Sequence, residues 1–104
     1  MDKQNRIKKI EEMEKILDEH SLKLSRLRYA LDEFVNSEHQ YEKLKDYYTS
    51  EEYLHDMESF DSGELPGDLK CGVLSQDAVF DLIGDNFNIA IEMLEIATDV
   101  IKNH

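Results

Sequence analysis

A chain of 104 residues, 40% apolar and 35% charged, has enough apolar surface for one modest core and too little for two, so a single domain over residues 1–104 is expected. A formal charge of −12 argues against a nucleic-acid partner, because phosphate contacts need Lys and Arg to replace condensed counterions. No apolar run approaches the roughly 20 residues that span a bilayer, so no membrane partner is expected.

Residues 1–10 alternate charge with isolated Ile and lack the continuous apolar stretch of a signal peptide. The first helix is expected to begin between Asp2 and Asn5 and is built from strong helix formers, with no Gly or Pro before Gly63. Its apolar stripe starts at Ile10 and recurs at Met13, Leu17, Leu24, Leu27, Leu31, Phe34, Tyr41 and Tyr48. Steps of three and four residues keep those side chains on one helix face. Ile7, Ile16 and Leu22 widen the stripe. His20 and Glu38 occupy positions where the spacing expects apolar residues, and polar groups at such seam positions can fix the register between helices. For His20 the plainer reading is a side chain hydrogen-bonded or tilted toward water. Ser37 and Gln40 have the pattern of a capping box, but Tyr41, Leu44 and Tyr48 resume the apolar face, so the helix is read as continuous through Asn36-Ser37.

Thr49-Ser50-Glu51-Glu52 is a second capping-box pattern, with Thr49 as the cap, and it predicts a short helix over 51–60 carrying Tyr53, Leu54, Met57 and Phe60. From Asp61 to Leu74 the breakers Asp61-Ser62-Gly63, Pro66-Gly67 and Gly72 predict a loop. Ser75 reads as the N-cap of a third helix over 76–83, with Leu74 and Val79 placed as a hydrophobic staple. Gly84-Asp85 is read as a pause before a last helix. That helix carries Phe87, Ala90, Ile91, Leu94, Ala97 and Ile101 on one face and Ile89, Met93, Ile96 and Val100 on its flank, which predicts burial on two sides at the centre of the core.

The expected fold class is therefore all-α: a long N-terminal amphipathic helix packed against a short helix and two C-terminal helices, an elongated helical hairpin or bundle. A helix over residues 2–47 would be about 70 Å long, and the helices after Gly63 would return only about 40 Å. Part of the Ile7–Leu17 stripe is then expected to lack cover, and an exposed apolar stripe usually marks an association surface. The expected function is a non-enzymatic protein–protein interaction module, a homodimer of coiled-coil type with Ile7, Ile10, Met13, Leu17 and Leu24 as contact residues.

Charge is unevenly placed: residues 1–28 carry eight basic and six acidic side chains, and the rest of the chain four basic and eighteen acidic. That asymmetry suits an antiparallel self-association or a basic partner, and its plain alternative is a solvated face. Hence the second functional reading, an acidic regulator or decoy that takes a basic protein on Glu51, Glu52, Asp56, Glu58, Asp61 and Glu64.

Candidate chemistry is sparse. The single cysteine, Cys71, permits no internal disulfide and makes a reducing cytoplasm the default compartment. Paired with His39 or His55 it would be a nucleophile, but nothing in the spacing brings them together, and a small packing residue is the plainer role. Glu52 and His55 match the Glu-x-x-His spacing of di-iron bundles, without the second such motif that the chemistry requires. Glu58, Asp61, Glu64 and Asp68 lack the order of a calcium hand. No metal site or cofactor is expected, and a carboxylate-rich metal protein centred on Glu52 and His55 stands as the third functional reading. Tyr41, Tyr47, Tyr48, Tyr53 and Phe60 are read as aromatics plugging one end of the helical hairpin rather than lining a groove.

The stretches Tyr47-Tyr48-Thr49-Ser50-Glu51-Glu52-Tyr53 and Leu65-Pro66-Gly67-Asp68-Leu69-Lys70-Cys71-Gly72-Val73-Leu74-Ser75-Gln76-Asp77, followed by Asn86 and Ala90 through Met93-Leu94, resemble a small bacterial family catalogued as domain of unknown function 4298. The resemblance covers nearly the whole chain and is most specific between Tyr47 and Asp77. It implies an all-helical cytoplasmic protein and no particular reaction or ligand. At position 53 the family favours tryptophan, so Tyr53 keeps an aromatic anchor there.

Overall fold

The computed structural model describes residues 2–75 and 77–104. Among these the chain is all-α, with α1 (Lys3–Tyr48), α2 (Glu51–Asp61), a 3₁₀ turn (Gly72–Leu74) and α3 (Ala78–Lys102), and no strand. By its internal contacts the chain divides into two compact units, Met1–His39 and Gln40–His104.

Among the described residues of the first unit the only regular element is α1. The Asp2 carboxylate accepts a hydrogen bond from the Gln4 N–H at 3.3 Å, so an anion sits at the positive end of the helix and satisfies one otherwise unpaired donor. The helix runs unbroken through Asn36-Ser37, as the resumed apolar face predicts. No residue of α1 is buried.

The second unit is organised by two serines with the same hydrogen-bond pattern. Ser50 Oγ donates to the Tyr47 carbonyl at 2.6 Å and accepts from the Tyr53 N–H at 3.2 Å, so one hydroxyl closes α1 and opens α2. Ser75 Oγ donates to the Gly72 carbonyl at 2.8 Å and accepts from the Ala78 N–H at 3.2 Å, closing the 3₁₀ turn and opening α3. Each hydroxyl satisfies backbone groups left unpaired at two element ends. For α2 this moves the cap one residue from the expected Thr49: Ser50 has the extended backbone of a cap (ψ 162°), while the Thr49 hydroxyl turns back to the Asp46 carbonyl at 3.2 Å. The far end of α2 is a Schellman closure, in which Gly63 N–H reaches the Phe60 carbonyl and Glu64 N–H the Ser59 carbonyl. That closure needs a left-handed residue, and Gly63 supplies it with φ +76°.

The core lies around these joints. Its buried apolar side chains are Tyr53 (7% exposed), Leu74 (5%) and Val79 (3%). Leu74 and Val79 occupy the staple positions on either side of Ser75, and the 3₁₀ turn packs on both α2 and α3.

Two expectations for the C-terminal half are corrected. The pause at Gly84-Asp85 is absent: α3 is one continuous helix, because a single Gly costs only about 1 kcal/mol relative to Ala in a helix interior and leaves the N–H ladder intact, unlike Pro. The expected start of the third helix at Gln76 lies outside the described residues. Nor is the last helix the centre of the core. Phe87, Leu94, Ile96, Val100 and Ile101 are exposed, Ile101 at 75%, and only Val79 of α3 is buried. Helical periodicity establishes that these residues share a face; it does not establish that anything covers it.

Candidate functional site

Three groups of side chains stand out, and the largest is the apolar stripe of the first unit. Ile7, Ile10, Met13, Leu17 and Leu24 are all exposed, Leu17 at 59%, and Ile16, Leu27 and Leu31 extend the exposed surface. Phe34 and Glu38 are half-buried. Together these side chains leave apolar surface at regular helical spacing in water over several turns.

The second group joins the end of α1 to α2. Tyr53 meets Tyr47 edge-on with ring centroids 5.4 Å apart and Tyr48 at 5.2 Å, the geometry that sets the positive rim of one ring against the negative face of the next. Tyr47 Oη donates to Asp56 Oδ2 at 2.5 Å. Donation to that carboxylate holds the phenol protonated, with burial and the negative charges of Asp56 and Glu52 adding to the effect, and its pKa is pushed up to about 12. A phenol so reluctant to lose its proton is a poor acid near neutrality, so the pair serves as a clamp between two helices. Behind the clamp is a narrow cleft of about 270 Å³ bordered by Tyr47, Asp56, Leu69, Cys71, Val73 and Leu74, below the roughly 300–1,000 Å³ of most small-molecule pockets. Cys71 is half-buried there. His39 and His55 are both exposed, and neither is among the residues that border the cleft.

Of the five aromatics, Tyr47, Tyr48 and Tyr53 form one cluster, and Tyr47 also borders the cleft that the aromatics were not expected to line. Tyr41 is half-buried beneath Lys45, whose Nζ lies 5.5 Å from the ring centroid, and Phe60 is exposed. The Tyr47–Asp56 clamp had no signal in the sequence, since the two residues lie on different helices and meet only because Ser50 turns the chain between them.

The third group is the acidic segment. Glu51, Glu52, Glu58, Asp61 and Glu64 are exposed, whereas Asp56 is half-buried and engaged by Tyr47. The ion pairs among the described residues are Lys15–Glu19 and Glu42–Lys45, so this segment contributes to neither. Glu52 and His55 gather no further ligand: among the described residues no three His, Cys, Asp or Glu side chains converge on a common point. Among the same residues no helix is long and apolar enough to cross a membrane.

Comparison with known proteins adds the family. The family described as Domain of unknown function (DUF4298) matches residues 10–96, a span that includes most of the stripe, both serine joints and the aromatic clamp. No curated protein matches the chain. The chain belongs to the DUF4298 family.

Proposed function

We propose that this DUF4298 protein is a non-enzymatic, cytoplasmic interaction module that self-associates as a homodimer through the N-terminal part of α1. The observation that carries this reading is the run of exposed apolar side chains Ile7, Ile10, Met13, Leu17 and Leu24 on one helix face. A soluble chain gains about 25 cal/mol for each Å² of such surface it removes from water, and a twofold pair is the simplest closed assembly that does so. Light scattering over a concentration series tests it. The native chain is expected to have the mass of two copies, and Leu17→Glu to weaken association about a hundredfold or more by placing two charges in the seam. A native chain that stays monomeric throughout the series refutes the reading.

A second reading rests on the exposed acids Glu51, Glu52, Glu58, Asp61 and Glu64, which contribute to no ion pair among the described residues. A basic protein bound there would be released by salt, since exposed charges are screened over about 8 Å at physiological ionic strength. Asp56 is left out of that surface because Tyr47 occupies it.

A further inference from the structure

The stripe of α1 follows a strict seven-residue repeat. One seam position holds Ile10, Leu17, Leu24, Leu31 and Glu38, and the other, three residues on, holds Arg6, Met13, His20, Leu27 and Phe34. On a straight helix such a repeat drifts by about 20° per heptad, so only a partner helix that supercoils with it can follow the seam for four heptads. The partner is thus a helix, and the charges say which helix and in which direction.

We infer that two copies of α1 pair antiparallel about a twofold axis at the level of residue 22, so that seam residues equally distant from position 22 face each other, while flank residues pair about position 21 on one side of the seam and about position 23 on the other. This rests on the self-association proposed above and specifies its geometry. In this register Leu17 faces Leu27 of the second copy and Ile10 faces Phe34. Two of the three polar seam residues then acquire charged partners, since Arg6 meets Glu38 of the second copy at both ends of the seam, while His20 faces Leu24. On the flank, Glu14 faces Arg28, and Ile7, an apolar residue at a position usually charged, faces the equally anomalous Val35. Each of Arg6, Glu14, Arg28 and Glu38 stands outside the ion pairs found among the described residues. One like-charge contact remains, Lys23 against its symmetry mate on the wet side of the axis.

The alternatives are worse at the same positions. A parallel pair in register sets Glu38 on Glu38 and Arg6 on Arg6 and brings Lys23 beside Arg28, and its one favourable flank contact, Lys9 with Glu14, does not offset these. Sliding the antiparallel pair by one heptad puts Glu38 on Met13 and Glu14 on Val35 in one direction, and Arg6 on Leu31 and Arg28 on Ile7 in the other. Like charges or unpaired charges against apolar side chains discriminate strongly between helix pairings.

Spin-label distances in the full chain test the register, with Cys71→Ser removing the native thiol and one label carried on Ser21→Cys or Lys9→Cys. The axis predicts labels at position 21 within about 20 Å of each other and labels at position 9 about 40 Å apart. Short distances at both sites mean a parallel pair, which overturns the inference and leaves self-association standing. A protein with the mass of one copy overturns both. Charge exchange provides a second readout. Arg6→Glu is expected to weaken the dimer about tenfold, and Arg6→Glu with Glu38→Arg to restore it to within about threefold of the native chain. Failure of the double exchange to recover affinity removes the Arg6–Glu38 pairing and with it the register.

Discussion

Residues 3–39 and residues 40–104 have the same raw material, apolar side chains at helical spacing, and they use it differently. In the first unit none of those side chains is buried; in the second, Tyr53, Leu74 and Val79 are. The difference is turn chemistry. Ser50 and Ser75 each tie two chain ends together with one hydroxyl, and the three buried residues lie within four positions of one or other serine. A long helix without such a joint can offer a face but cannot fold back to cover it. The first unit therefore buries none of its apolar face, and the second buries only the side chains nearest its two joints.

The sharpest way to break this comparison is to compare truncations in the two units. Tyr53→Ala removes a buried ring that meets both Tyr47 and Tyr48, and is expected to cost about 3–5 kcal/mol of unfolding free energy in urea. Leu17→Ala, at an exposed position, is expected to change stability by less than about 0.5 kcal/mol when the protein is dilute enough to be monomeric. Comparable losses at the two sites would mean that residues 3–39 hold a core of their own.

The serine joints come next in size. Ser50→Ala and Ser75→Ala each remove a cap and are expected to cost about 1–2 kcal/mol apiece. The decisive contrast is Thr49→Ala, expected to cost less than Ser50→Ala, because the Thr49 hydroxyl returns only to carbonyls of α1, those of Lys45 and Asp46. Equal losses at Thr49 and Ser50 would restore the cap to the place the sequence pattern suggested.

That one-residue displacement shows how far the sequence can be read. Thr49 and Ser50 are chemically interchangeable as caps, and the pattern Thr49-Ser50-Glu51-Glu52 favours Thr49 through its Glu three residues on. The chain chooses Ser50 because its hydroxyl also reaches the Tyr47 carbonyl, a tertiary advantage with no local signature. Around Ser75 the staple positions Leu74 and Val79 are both buried, as the pattern predicts, although the α-helix itself begins at Ala78 with Asp77 as its flanking cap residue. The course of α1 was legible too, because a stretch free of Gly and Pro leaves few alternatives. The exposure of α3 was not, since periodicity ranks faces by apolarity and carries no information about what lies opposite them.

The clamp offers a smaller effect with a distinctive pH signature. Tyr47→Phe removes the donor to Asp56 and is expected to cost about 1–2 kcal/mol. In the native chain the Tyr47 pKa is raised from 10.0 to about 12, so the folded state holds this proton more tightly than the unfolded state. The resulting stability is complete below pH 10, falls as pH rises from 10 to about 12, and is absent above. Urea titrations across that window are expected to show a steeper alkaline loss for the native chain than for Tyr47→Phe. Parallel curves would place the phenol in water rather than on Asp56.

The smallest expected effect has the opposite sign and tests the continuity of α3. Gly84 lies inside the helix, its backbone is not left-handed, and a methyl group there would meet nothing within 4 Å. Alanine at this position loses less conformational freedom on folding than glycine and gains no clash, so Gly84→Ala is expected to stabilise the protein by about 0.5–1 kcal/mol. Were the chain to pause at Gly84-Asp85, the same substitution would stiffen a turn that needs glycine and would destabilise it. The sign of one denaturation midpoint thus decides between one C-terminal helix and two. It also decides whether Phe80 and Phe87, seven residues apart on either side of Gly84, lie on a single exposed face.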